Sequence, residues 1–131
     1  MALFSGVAVA AKDHELMALL GELVTPCAEH VVVFGVGGGV LGTGHQWLGL
    51  IDAACGRFDP ALEHFAEAKS IALRMGAPYW VADATVATAR VLRSRGRAAD
   101  DAEISRLVAD ARATARRGGY GRVLAQCDLM A

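Results

Sequence analysis

Residues 42–76 read GTGHQWLGLIDAACGRFDPALEHFAEAKSIALRMG, and their spacing decides the fold. Thr43 followed by Gln46 is a capping box, in which the hydroxyl takes a first-turn amide, so a helix starts there. It runs through Trp47, Leu48, Leu50 and Ile51 to about Cys55. Gly56 and Arg57 make the turn. Asp59 as N-cap and Pro60 at the first helical position open the next helix, whose Ala61, Phe65, Ala68, Ala72 and Met75 share one face until Gly76 stops it. Two helices approach closely only where Gly or Ala faces a bulky side chain. The Leu48-Gly49 step and the Ala61, Phe65, Ala68 series supply that alternation, so the stretch is one helical hairpin.

Outward from this hairpin the same pattern repeats. Pro78 opens a helix through Tyr79, Trp80, Ala84, Ala87 and Val91 to about Arg95, with Gly96 as its stop. Asp100 with Glu103 reads as a second capping box, opening a helix with Ile104, Leu107, Val108, Ala111 and Ala115 inside and Gly118-Gly119 at its end. The remainder, 119–131, is a short amphipathic cap packing Val123, Leu124 and Leu129. Toward the N-terminus, LFSGVAVAA over 3–11 is a helix of small residues. Asp13 caps another, with Leu16, Leu19, Leu20 and Leu23 as its stripe, ending near Pro26. The expected fold is all-α: one domain over 1–131, with hairpins at about 3–27, 43–76 and 78–118 and a cap at 119–131.

One segment breaks the helical pattern. HVVVFGVGGGVLGTG, residues 30–44, joins a strand-like valine run to a glycine cluster, and Gly37, Gly39 and Gly42 satisfy G-x-G-x-x-G. In a dinucleotide-binding unit such glycines turn backbone amides toward a pyrophosphate. Here no further buried strand with a crossover helix accompanies it, and no Gly-Lys-Ser/Thr follows. The segment reads as a connector whose valines tuck under neighbouring helices, with nucleotide binding through 31–44 as the alternative.

The 131 residues are 54% apolar, ample for a core. A formal charge of -1 argues against a domain held to nucleic acid by general electrostatics. The charge is uneven: residues 1–76 hold four basic against eight acidic residues, and 77–131 hold nine arginines against six acids. Cys27, Cys55 and Cys127 are an odd number without a CxxC pair, which fits a reducing, cytoplasmic compartment better than a disulfide framework. MALFSGVAVAAK has no basic residue ahead of its apolar run, so no signal peptide is expected, nor a membrane span.

The order Leu-Gly, Gly-x-Phe, Ala-x-x-x-Phe-x-x-Ala resembles a tetratricopeptide repeat. The larger succession is LVTPCAEHVVV, then GTGHQWLGLIDAACGRFDPALEHFAEA, then RMGAPYWVADATVATARVLRSRG and LVADARATARRGG. It resembles the C-terminal helical-repeat region of actinobacterial ATPase-coupled regulators, the LuxR-type and adenylate cyclase-associated transcription factors. The resemblance implies a right-handed superhelix acting as a sensing or docking arm, with ATPase and DNA-binding chemistry in other domains. Three positions depart from it in the first hairpin: Met17 and Gly21, where such repeats prefer Ala and an aromatic, and Lys12, where a turn glycine is usual. Asp52 places a charge on a stripe that is usually apolar.

In stacked hairpins the first helix of each pair lines the concave face. The expected partner surface is therefore Thr43, Gln46 and Leu50 on the third helix, with Asp83, Val86, Arg90 and Arg93 at i, i+3, i+7, i+10 on the fifth. Arginines so placed pair well with a partner's carboxylates. His14, His30, His45 and His64 lie in different elements without ligand spacing, so no metal is expected, and His64 reads as a surface pair with Glu67. No serine sits on a strained elbow, so no catalytic set and no cofactor are expected. The function this implies is a non-catalytic scaffold for a protein or peptide partner, including the ATPase domains of a longer regulator. Self-association is the remaining alternative, because a repeat array without a polar end leaves apolar surface open.

Overall fold

Helix starts and stops written into the sequence place most of the elements in the computed structural model, which describes residues 2–34 and 39–131. Asp13 accepts from the Leu16 amide at 3.0 Å and so separates α1 (Ala2–Ala11) from α2 (His14–Val24). Thr43 caps α3 (Gly44–Ala54) by accepting from the Gln46 amide, as the capping box requires. α4 is Phe58–Arg74, α5 Pro78–Arg95, α6 Asp101–Gly118 and α7 Gly121–Asp128. The turns that end α3 to α6 each carry a glycine in the left-handed region, at Gly56, Gly76, Gly96 and Gly119. The described chain is thus mostly α-helical. It divides into two compact units, residues 1–68 and 69–131.

Several expectations are corrected. The valine run is not a connector tucked under helices: β1 (Val31–Phe34) pairs antiparallel with β2 (Gly39–Thr43), with Val33 opposite Val40 and both exposed. An all-α reading therefore misses a two-stranded sheet. Residues 35–38, with Gly37 of the glycine fingerprint, lie outside the described residues. Fourth-helix geometry begins at Phe58, two residues earlier than expected, so Asp59 lies in the first turn rather than at the cap. Asp100 does not cap α6. Its carboxylate is drawn to the Arg95 guanidinium at 2.8 Å, a charge-assisted fork stronger than a bond to a neutral amide. Leu129 is 83% exposed, and Cys127 and Met130 are the inward residues of the final segment instead.

In the first unit, Ala8, Met17, Leu20 and Ile51 form the core, flanked by Val9, Leu16 and Cys55. Met17, a departure from the repeat pattern, is nonetheless buried there: an unbranched thioether fills irregular space that Ala would leave empty. The α3–α4 hairpin closes where Gly49 meets Phe65. A methyl built on Gly49 would lie 2.9 Å from Cε1 and Cζ of that buried ring, so only a hydrogen fits. Gly44 is held as tightly, its missing Cβ pointing 2.4 Å from the Cys27 carbonyl oxygen. In the second unit, Ala82 and Val86 of α5, Ala111 and Ala115 of α6, and Val123 and Cys127 of α7 make a small-residue core. Tyr79 and Tyr120 cover it edge to face, with centroids 5.3 Å apart.

Candidate functional site

Polar side chains concentrate where α3, α4 and the turn before β1 come together in the first unit. His45, on the first turn of α3, is buried because Gly44 lets the helix start lie against residues 27 and 28, with the His45 amide donating to the Ala28 carbonyl at 3.0 Å. Its ring has two partners: Nε2 lies 3.0 Å from Glu29 Oε1, and Nδ1 lies 2.8 Å from Nδ1 of His64 on α4. A carboxylate only accepts, so His45 Nε2 carries its proton and His45 Nδ1 accepts from His64 Nδ1–H. The other nitrogen of His64 faces Asp52 Oδ2 at 3.5 Å, beyond ordinary hydrogen-bond length. Burial pushes the His64 imidazole below its ordinary value; Asp52 opposes that shift and His45 adds to it.

Asp52 completes the cluster. Its Oδ1 accepts from Arg57 Nε at 2.8 Å, and that hydrogen bond holds the Arg57 guanidinium above its usual range. The charge noted on an apolar stripe is therefore paired across the α3–α4 turn, which removes most of the cost of burying it. Together the five side chains clasp two helices and the residue 28–30 turn. The arrangement is a hydrogen-bonded pair of imidazoles with a carboxylate facing the outer nitrogen of each ring. Among the described residues no group of three or more His, Cys, Asp or Glu is placed to hold a metal ion. The second carboxylate also faces the His nitrogen remote from the ring pair, so the donors do not converge on one point.

The sequence pattern pairs His64 with Glu67 and does not point to this cluster. A usable signal existed: in an antiparallel hairpin, residues equally distant from the turn tend to face. His45 and His64 are equally distant from the Ala54–Cys55 midpoint, and so are Asp52 and Arg57.

The residues expected to line a partner groove meet different fates. Thr43 and Gln46 are buried, Thr43 as the α3 cap, and Leu50 is half-buried. Val86 is fully enclosed in the second-unit core, so it cannot meet a partner. Asp83 is buried three residues before it, and burial pushes its carboxyl up against the opposing pull of Arg122 and then Arg90. Arg90 is exposed, about one turn beyond Val86. Arg93 donates to the Met130 carbonyl and, at 3.4 Å, to that of Leu129, tethering the chain beyond α7.

For the nucleotide reading, the helix that should receive a phosphate is α3, whose first amides would be the donors. They are already engaged: Gly44 N–H donates to the His30 carbonyl, His45 N–H to Ala28, and Gln46 N–H to Thr43 Oγ1. No helix among the described residues is long and apolar enough to cross a membrane. No protein family, curated protein or solved structure matches the chain.

Proposed function

We propose that the chain is a non-catalytic scaffold that binds a protein partner, a tetratricopeptide-like array of helical hairpins serving as the docking arm of a cytoplasmic signalling or transcriptional regulator. The observation that supports this reading is that α2 is apolar on two sides. Met17, Leu20 and Val24 are buried within the chain, while Leu19 and Leu23 stand 53% and 46% exposed on an adjoining face. A helix needs only one apolar stripe to join a core. The second stripe has no role in the fold and has the composition of a contact surface. On α1 the side chains of Phe4 and Val7 are likewise more than half exposed.

The test is Leu19→Lys with Leu23→Lys. Both side chains are about half exposed, so the free energy of unfolding should change by no more than about 0.5 kcal/mol per site. Cross-linking in native extract should recover a protein with the wild type and lose it with the variant; an identical set from both refutes the reading. For the arginine stripe, Arg90→Glu is the usable probe, because a change at Arg93 also cuts its bonds to the C-terminal backbone.

A further inference from the structure

The exposed face of α2 is not purely apolar. Glu15, Ala18, Leu19, Glu22 and Leu23 are all exposed and fall at i, i+3, i+4, i+7 and i+8, one continuous stripe with two carboxylates along one edge of two leucines. Among the described residues neither glutamate is in an ion pair. The stripe is about 12 Å long at 1.5 Å per residue.

The second unit presents the complementary chemistry. At the corner between α4 and α5, a cleft of ≈ 210 Å³ is walled by Ala72, Leu73, Ala77, Pro78, Val81 and Thr114. Of the lining residues Leu73 is 61% exposed. Two arginines stand near it without being part of its wall: Arg117 donates to Oγ1 of the lining Thr114 at 3.2 Å, and Arg74, next in sequence to the lining Leu73, donates to Ser70 Oγ at 2.9 Å. In the second unit Arg95, Arg106 and Arg112 are paired with carboxylates, whereas Arg74 and Arg117, like several other arginines there, are not, and these two rest on hydroxyls. The same contrast holds for whole units: residues 1–68 hold two basic against eight acidic residues, and 69–131 hold eleven against six.

We propose that the partner is a second copy of this chain, with the α2 stripe of one copy seated in the α4–α5 cleft of the next. Leu19 and Leu23 enter the apolar cleft, and Glu15 and Glu22 exchange with the hydroxyl partners of Arg74 and Arg117 to form bidentate pairs. The surfaces differ, so the contact is heterologous, and a bound pair still offers one free cleft on one copy and one free stripe on the other. One helix stripe on one cleft buries less than the roughly 1,200 Å² of a standard interface, which sets a weak, concentration-dependent association. This inference rests on the scaffold reading and names its partner.

Sedimentation velocity on the full chain from about 10 to about 500 μM tests it, a range suited to weak contacts. The wild type should associate as concentration rises, and less at about 1 M salt, where screening acts over roughly 3 Å. Glu15→Lys with Glu22→Lys, and separately Arg74→Glu with Arg117→Glu, should each weaken association at least about tenfold while circular dichroism stays unchanged. The decisive arm is a mixture. Each variant keeps the face the other has lost, so a one-to-one mixture should associate again, as a mixed dimer. A monomeric wild type, association surviving in either variant, or a mixture no tighter than its parts overturns the proposal. A monomeric wild type that still loses a cross-linked protein on Leu19→Lys, Leu23→Lys overturns the second copy alone and leaves the scaffold reading in place.

Discussion

Gly49→Ala and Gly21→Ala are the same chemical change at the interior of two helices, and the structure gives them opposite signs. In each, replacing Gly by Ala in a helix gains about 0.8–1.0 kcal/mol through lower backbone entropy in the unfolded chain. At Gly21 of α2 nothing lies within 4 Å of the new methyl, so the whole gain should appear as stability. At Gly49 of α3 the methyl would sit 2.9 Å from two carbons of Phe65, a ring only 1% exposed and without room to swing aside. Overpacking of this kind costs about 1–3 kcal/mol. The net at Gly49 is then a loss of up to about 2 kcal/mol, and the two variants should differ by about 1–3 kcal/mol. Urea unfolding followed by helical circular dichroism measures both. A third variant isolates the cause: in a Phe65→Leu background the clash is relieved, and Gly49→Ala should turn stabilising, giving a coupling of about 1–3 kcal/mol. If Gly49→Ala and Gly21→Ala agree within about 0.5 kcal/mol, or the cycle shows no coupling, the close approach that closes this hairpin is wrong.

Lys12 sits at φ 56, the single non-glycine residue in the left-handed region among those described, so Lys12→Gly should stabilise the first hairpin by about 1 kcal/mol in thermal unfolding. His64 is depressed below 6.5 in the folded state; its contribution is complete above 6.5 and is lost as pH falls through that value toward the folded one. Wild type should therefore lose melting temperature relative to His64→Gln between about pH 7 and about pH 5, and parallel curves would contradict the buried-imidazole reading. Asp83 has the opposite sense, its carboxyl raised above 3.8 by burial, so stabilisation is present below 3.8 and is lost as pH rises through the folded value. Asp83→Asn should accordingly unfold at higher urea than wild type at pH 7, with the advantage vanishing under acid conditions. A variant weaker than wild type at pH 7 would show that Arg122 and Arg90 outweigh burial.

The helical character and most helix ends were legible because their causes are local. A Thr43 hydroxyl reaching the Gln46 amide, an Asp13 carboxylate reaching Leu16, and a glycine turning left-handed after α5 all act within three or four residues. Lys12 stood out as a missing turn glycine, and it takes the strained conformation that glycine would have relieved. Local signals failed where a distant group competed for the same atoms. Asp100 has the spacing of a cap, yet its carboxylate goes to Arg95, because a guanidinium fork outbids a backbone amide. Arg93 reads as part of a ligand stripe, yet it binds carbonyls 36 and 37 residues away. The valine run was judged by what it lacked, a parallel sheet, and its antiparallel return through Gly39–Thr43 was overlooked.

By itself the sequence determined that the chain is built of helices, where most of them begin and end, and that small residues alternate with bulky ones where the central hairpin closes. Those facts follow from backbone capping and from residue size, which each segment carries with it. Only the tertiary structure decided that His45 meets His64, that Asp52 serves both Arg57 and His64, and that one face of α2 is left over. Which side chains face one another depends on how far each helix is rotated about its axis and how closely it can approach its neighbour. Those angles are settled by all the packed residues at once, with Gly44 against the Cys27–Ala28 backbone and Gly49 against Phe65 fixing the two nearest contacts.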